Sequence, residues 1–351
     1  MSKKENIEQT CKRLSLGRTK LGLASDIIND EVNVIPTGCV LIDCDLLQHG
    51  GWPCGQMSLI WGQTDVGKSL VTLWTIAKAQ ETYPDKKAVL IDTEGRTNDL
   101  TAKKWMEHHG INLENLIILP SRHLEKILPV MATLARRDDI SIIVWDTISD
   151  SFSRSMDSNF EAETDKSPGT AAVARKISEA MPYIMEEICA NNICFLIVAQ
   201  NRAKINMSGY GSGGFRPGVP QQIMHEAAVR MYFRKTEDVK ESGKKVGWKL
   251  YVGVEKGKGY ATTGKTTVDS GEGNIVLMFG ECKPDNRGAI LDDAIRLGIV
   301  MAAGSWYSWG DIKLQGRANF RDALTDEQFE QIKEETLKLK EVMPIEVEEE
   351  I

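Results

Sequence analysis

Eight consecutive residues, Gly62-Gln63-Thr64-Asp65-Val66-Gly67-Lys68-Ser69, set two glycines, a lysine and a hydroxyl at the spacing G-x-x-x-x-G-K-[ST]. In such a loop the backbone N–H groups turn toward an anion at a helix N-terminus. The lysine reaches the β- and γ-phosphates and the hydroxyl ligates Mg²⁺. Residues 62–69, with Leu70 behind them, are therefore read as a nucleotide-phosphate cradle, Lys68 as its cation and Ser69 as a metal ligand. The plainer alternative is an exposed turn with a stray lysine, and context argues against it. Met57-Ser58-Leu59-Ile60-Trp61 reads as a buried strand, and Leu70, Leu73, Trp74 and Ala77 fall at helical spacing. Strand, loop and helix stand in the required order.

A triphosphate site needs more than a cradle. Asp146 closes the apolar run Ser141-Ile142-Ile143-Val144-Trp145, where a carboxylate can hold Mg²⁺ or its water at the carboxyl edge of a parallel sheet. Glu94 follows Ala88-Val89-Leu90-Ile91-Asp92-Thr93 and can orient or deprotonate an attacking water in the same crevice. Either acid alone would pass for a solvated surface group; two at the ends of apolar strands beside a phosphate loop do not. Gln200 ends Cys194-Phe195-Leu196-Ile197-Val198-Ala199 and suits a hydrogen-bonding sensor of the γ-phosphate. Lys256 and Lys258, at alternate positions after a strand, would point the same way. They would stabilise a transferring phosphoryl group, even one held by a neighbouring subunit, although on their residues alone a solvated turn reads as well.

The elements that must position these groups alternate. From Ile35 to about residue 280, apolar runs alternate with helical patterns, the signature of an α/β fold with a mainly parallel central sheet flanked by helices. Helices are expected near 101–109, 124–136 and 170–190, with a kink or break at Pro182. Later strands are expected at Val229–Phe233, Leu250–Val254 and Val276–Phe279. Residues 153–168 form an acidic, apolar-poor loop. Residues 201–220 carry Gly209, Gly211, Gly213, Gly214 and Gly218 with Arg202, Lys204 and Arg216, a loop expected to be mobile until something orders it. Four parts result: a segment over 1–33, a core over 34–280, a small unit over 281–343 and an acidic tail over 344–351. In the first, Ile7, Cys11, Leu14 and Leu16 give one short amphipathic helix that either packs back or docks on a neighbour. The third is expected to be helical, with Ile290, Ala294 and Leu297 on one face and a polar helix at about 325–341. No internal repeat is found.

Bulk properties narrow the class. A net charge of −7 over 351 residues means that any nucleic-acid contact must come from local basic sites. Seven cysteines without a C-x-x-C pair argue against a disulfide framework or zinc site, and Cys39, Cys54, Cys189 and Cys194 read as small core residues. No apolar run is long enough to span a bilayer and Met1–Glu5 begins no signal peptide, so a cytoplasmic protein is expected.

Together these residues resemble the RecA family of DNA recombinases over most of the chain. Ile35-Pro36-Thr37-Gly38 and Gly50-Gly51-Trp52-Pro53-Cys54-Gly55-Gln56 resemble that family's approach to the phosphate loop. Ile91–Glu94, Val144–Thr147 and Ala199–Arg202 resemble the segments with its catalytic glutamate, Mg²⁺-associated aspartate and γ-phosphate-sensing glutamine. Lys256-x-Lys258 is similar to the paired lysines of the bacterial branch, which reach ATP across the subunit interface. Ala303–Ser308 and Gln315–Asn319 look like the bacterial C-terminal domain, which RecA-fold helicases and circadian-clock ATPases are not expected to share. The resemblance implies a helical filament of this chain on single-stranded DNA, ATP and Mg²⁺ as cofactors, and pairing with homologous double-stranded DNA. Single-strand-binding and loader proteins would be accessory partners, with no membrane. It implies DNA-binding loops at about 155–168 and 201–220, with Arg175, Arg202, Lys204, Arg216 and Arg230 on the DNA. Asn98 and Thr101 stand where an aspartate meets the adenine and a tyrosine stacks on it, and His225 where an aromatic enters the neighbouring subunit. The first loop carries a small insertion before Ala171, and the second is richer in Gly and Ser. These departures point to a phage-borne or otherwise divergent member. The alternatives are a helicase or translocase on the same fold, and a non-catalytic ATP-binding regulator.

Overall fold

The computed structural model describes residues 32–47, 49–153, 169–203, 215–241, 243–257 and 275–342. Strands β1 (Val34–Ile35) and β2 (Trp52–Pro53) pair antiparallel as a separate ribbon. Among the described residues, nine strands make one sheet: β3 (Met57–Gly62), β4 (Lys87–Asp92), β5 (Leu116–Pro120), β6 (Ile140–Asp146), β7 (Cys194–Ala203), β8 (Phe215–Pro217), β9 (Val229–Glu241), β10 (Lys244–Lys256) and β11 (Ile275–Met278). Their order is β11-β10-β9-β3-β7-β6-β4-β5, with β8 paired to the end of β7. From β9 to β5 every neighbour is parallel; β10 and β11 extend the sheet antiparallel.

The apolar strands are buried on both faces because helices cover both. Ile60, Leu90, Ile142, Val144 and Leu196 point into one core with Val71 and Trp74 of α1 (Lys68–Thr82). Their alternates Leu59, Ile91, Ile143, Trp145 and Ile197 point into the other. That second core is closed by α3 (Leu124–Ala135) and α4 (Gly169–Ala190). Two short helices complete this part, α2 (Ala102–His108) after β4 and α5 (Gln221–Glu226) before β9. The sequence reading missed β5, a half-buried strand at the sheet edge.

Three further expectations are corrected. Of the kink or break expected at Pro182, the break does not occur: helix α4 continues through that residue, which is exposed. The Ser178 carbonyl that loses its partner there can be met by solvent. Cys189 is exposed rather than in the core, on the outward face of the last turn of α4, whereas Cys39, Cys54 and Cys194 are buried. Burial pushes the Cys39 and Cys54 thiols up to about 12. Finally, the unit after residue 281 is not wholly helical. Between α6 (Asn286–Arg296) and the pair α7 (Arg317–Ala323) and α8 (Asp326–Val342) lies an antiparallel sheet of β12 (Met301–Ala303), β13 (Trp306–Trp309) and β14 (Ile312–Gln315). Gly304 (φ +61°) and Gly310 (φ +54°) open its two-residue turns, a geometry that favours tight hairpins. Ile290, Ala294, Val300, Phe320 and Ile332 form a separate small core there. The segment over 1–31, the first proposed DNA loop and the tail over 344–351 lie outside the described residues.

Candidate nucleotide-phosphate site

The parallel register levels the ends of the site-bearing strands. Gly62 stands opposite Gln200, and Asp92 opposite Asp146, so their side chains and the loops after them share one carboxyl edge. A cavity of about 330 Å³ opens there, lined by Thr64, Asp65, Gly67, Lys68, Ser69 and Leu70 together with Glu94, Asp146 and Gln200. Residues from four separate strand ends thus meet on one wall. Gly62, Gln63 and Val66 shape the loop without lining it.

The loop has little freedom. A Cβ at Gly62 would lie 1.9 Å from the Phe233 carbonyl oxygen on β9, so no side chain fits. Gly67 caps α1 at φ +113°, a conformation only glycine adopts without strain. The Lys68 ammonium donates to the carbonyls of Gly62 (3.2 Å) and Gln63. Burial lowers its pKa, while the charges of Asp146 and Glu94 pull the other way. Trp248 of β10, missed by the sequence reading, donates its indole N–H to the Val66 carbonyl at 3.0 Å.

Asp146 is the most perturbed acid of the site. Burial pushes its carboxyl up to about 6, opposed by a hydrogen bond from Ser69 and reinforced by the negative charge of Glu94. Its Oδ1 is buried without a hydrogen-bond partner. An unpartnered carboxylate oxygen beside a serine hydroxyl, at the mouth of a phosphate cradle, fits Mg²⁺, which takes one or two protein oxygens and completes its shell with water and phosphate.

Glu94 is half-buried and accepts from the Arg96 guanidinium. Asp92, which the sequence reading did not single out, builds the loop carrying it. Its carboxylate accepts from the N–H groups of Gly95 and Thr97, both at 2.8 Å, and from the Thr97 hydroxyl at 2.6 Å. The Thr93 hydroxyl donates to the Thr147 carbonyl (2.6 Å) and accepts from the Thr147 N–H (2.8 Å). Thr147 in turn donates to the Val198 carbonyl at 2.8 Å, so the ends of β4, β6 and β7 are tied in series. The Asp146–Thr147 peptide is cis.

Gln200 is held by its backbone. Its N–H donates to the Ser149 hydroxyl (3.0 Å) and its carbonyl accepts from the Gly218 N–H (2.8 Å). The two ends of the glycine-rich segment form an antiparallel ribbon of β7 and β8, and residues 204–214 lie outside the described residues. Within the ribbon, exposed Arg202 and Arg216 are direct cross-strand partners. Like charges so placed repel, and a bound anion would relieve them.

Other sequence-predicted residues are not brought to the cavity. Asn98 and Thr101 are exposed and off its wall; the Thr101 N–H and hydroxyl both donate to Asp99 at 2.8 Å. Arg175 lies on α4, 3.6 Å from Glu179. Arg230 donates to the Met224 carbonyl at 3.2 Å, and Lys256 at the end of β10 donates to that of His225 at 2.6 Å. Lys204 and Lys258 lie outside the described residues. Among the described residues no helix is long and apolar enough to cross a membrane.

A family model for the RecA N-terminal domain matches residues 4–276, and one for the RecA C-terminal domain matches 288–339. Protein RecA of Nautilia profundicola is 29% identical over 329 residues, covering 92% of this chain and 87% of its own. Protein RecA of Aquifex pyrophilus is 29% identical over 316 residues, 89% and 84% of the two chains. Protein RecA of Campylobacter lari is 27% identical over 329 residues, 93% and 90% of the two.

Proposed function

The chain belongs to the RecA family, and from that premise we propose that it is an ATP-dependent homologous DNA recombinase. It forms a helical filament on single-stranded DNA, pairs that strand with homologous duplex and exchanges strands, hydrolysing ATP faster when DNA is bound. The observation that supports this best is the single cavity shared by Lys68, Ser69, Glu94, Asp146 and Gln200.

In this reading the cradle and Lys68 bind the triphosphate, and Ser69 with Asp146 holds Mg²⁺. When bound there, Mg²⁺ would supply neutralisation of the triphosphate's negative charge. Glu94 accepts a proton from the attacking water, with Asp92 fixing the loop that aims it. Gln200 hydrogen-bonds at the γ-phosphate position, and its backbone ties to Ser149 and Gly218 carry the change to the second loop. There Arg202 and Arg216 hold DNA phosphates. Arg175, Lys204 and Arg230 are assigned to the same strand. Lys256 and Lys258 act on the ATP of the adjoining protomer. Residues 1–33 dock on that neighbour, 34–280 form the ATPase core, 281–343 the small C-terminal domain and 344–351 an acidic tail. The setting is the cytosol.

Electron microscopy with single-stranded DNA, with and without a slowly hydrolysed ATP analogue, tests the proposal beside a strand-exchange assay. A continuous filament that extends only with nucleotide, and exchange of homologous strands, are expected. Closed rings with strand separation would mark a translocase instead, and assembly without pairing a regulator.

A further inference from the structure

The cavity at the phosphate loop has two chemical ends. Beyond the polar groups its wall is made by Leu73, Leu90, Ala102, Trp105, Met106 and Cys282. A triphosphate alone has no use for such a surface, whereas a nucleoside does. Thr101 cannot serve it, since its N–H and hydroxyl are both held by Asp99 and it lies off the wall. Trp105 stands one helical turn further along, on the same side of α2 as Thr101, and it does line the cavity. Its indole is braced, edge-on against His109 with ring centroids 4.6 Å apart and stacked with His108 at 5.8 Å. His108 is itself anchored to the Glu281 carbonyl at 2.9 Å.

We propose that Trp105 is the nucleobase-stacking residue of this site, and that the described wall selects purine nucleotides by stacking rather than by reading the base edge. This rests on the nucleotide-binding reading above. The hydroxyls near the apolar end are already engaged: Thr72 donates to the Ser69 carbonyl at 2.8 Å and Thr97 to Asp92. The second indole of the wall, Trp248, has its N–H on Val66. A large π-face with its polar neighbours committed elsewhere distinguishes ring size far better than it distinguishes amino from carbonyl substituents.

The test is calorimetric binding of Mg–ATP, Mg–GTP, Mg–CTP and Mg–tripolyphosphate to the full-length chain and to Trp105→Phe and Trp105→Leu, with circular dichroism as a check on folding. The wild type is expected to bind ATP and GTP within about tenfold of each other, and CTP more weakly, because stacking grows with ring area. Trp105→Leu keeps an apolar side chain, though a smaller one, and loses the π-face. It should weaken both purine nucleotides by about tenfold or more and leave tripolyphosphate unchanged, while Trp105→Phe retains most of the affinity. Unchanged ATP binding in Trp105→Leu, an equal loss for tripolyphosphate, or a preference above about 100-fold for one purine would overturn the assignment. A wild type that binds neither tripolyphosphate nor any nucleotide would instead overturn the reading of the phosphate loop.

Discussion

Glu94→Gln keeps the shape of the residue and removes its basicity. If Glu94 takes the proton from water, this variant retains ATP and DNA binding but loses about 100-fold or more in turnover. Near-normal steady-state hydrolysis would remove the assignment. Asp146 makes a prediction about pH. A carboxyl raised from 3.8 to about 6 by burial binds a proton in the folded chain at pH 5 that it largely lacks when unfolded. This site therefore stabilises the nucleotide-free protein as pH falls from 7 toward 4, and that contribution is lost as pH rises through 6. Mg²⁺ needs the opposite, ionised state. Between pH 7.5 and pH 5 the Mg²⁺ dependence of ATP binding should weaken by about tenfold through this group, and in Asp146→Asn that component should vanish. Magnesium titrations at both pH values, with metal-free ATP as control for the nucleotide's own titration, measure it. Lys68 and Ser69 were legible through the spacing of the phosphate-loop motif, and Glu94, Asp146 and Gln200 because each closes or closely follows an apolar run. Asp92 was not, because its role depends on the fold of the loop after it. Trp248 was not, because it meets Val66 across 182 positions of chain.

At the scale of elements, β10 holds the phosphate loop from outside the parallel sheet. Trp248→Phe keeps an aromatic ring, though a smaller one, and removes the donor to Val66, a hydrogen bond whose loss should cost about 1 kcal/mol of loop stability. The expected result is an ATP affinity reduced several-fold with little change in maximal turnover; a fall in turnover at unchanged affinity would show that the contact does something else. Hydrophobic periodicity located the central strands because they are buried on both faces, and a run such as Ile142–Trp145 has few other solutions. It failed at the edge, where Leu116–Leu119 is half-buried and too short for a period to declare itself. The small C-terminal sheet had a readable signal in Gly304-Ser305 and Gly310-Asp311, each set between apolar or aromatic residues, and turn chemistry rather than periodicity was the way to find it. Pro182 misled because a proline on a solvent-facing helix surface forfeits a hydrogen bond that water can replace.

For the whole molecule, the proposed assembly puts one protomer's Lys256 against another's nucleotide. Lys256→Ala should lower the ATPase rate of the DNA-bound assembly by about 100-fold or more, with single-chain ATP affinity held within about twofold. Equal losses in both would trace the effect to the Lys256 contact with the His225 carbonyl inside one chain. A net charge of −7 does not forbid the proposed nucleic-acid partner, because cross-strand Arg202 and Arg216, the contacts proposed for it, would act at contact distance, where overall charge matters little. The outward turn of Cys189 has a practical corollary. Cys39, Cys54 and Cys194 are shut away as neutral thiols, so among the described cysteines a maleimide dye would find Cys189 first. A fluorophore coupled there would ride at the foot of the strand that leads to Gln200, giving an optical readout of that region with no engineered attachment point.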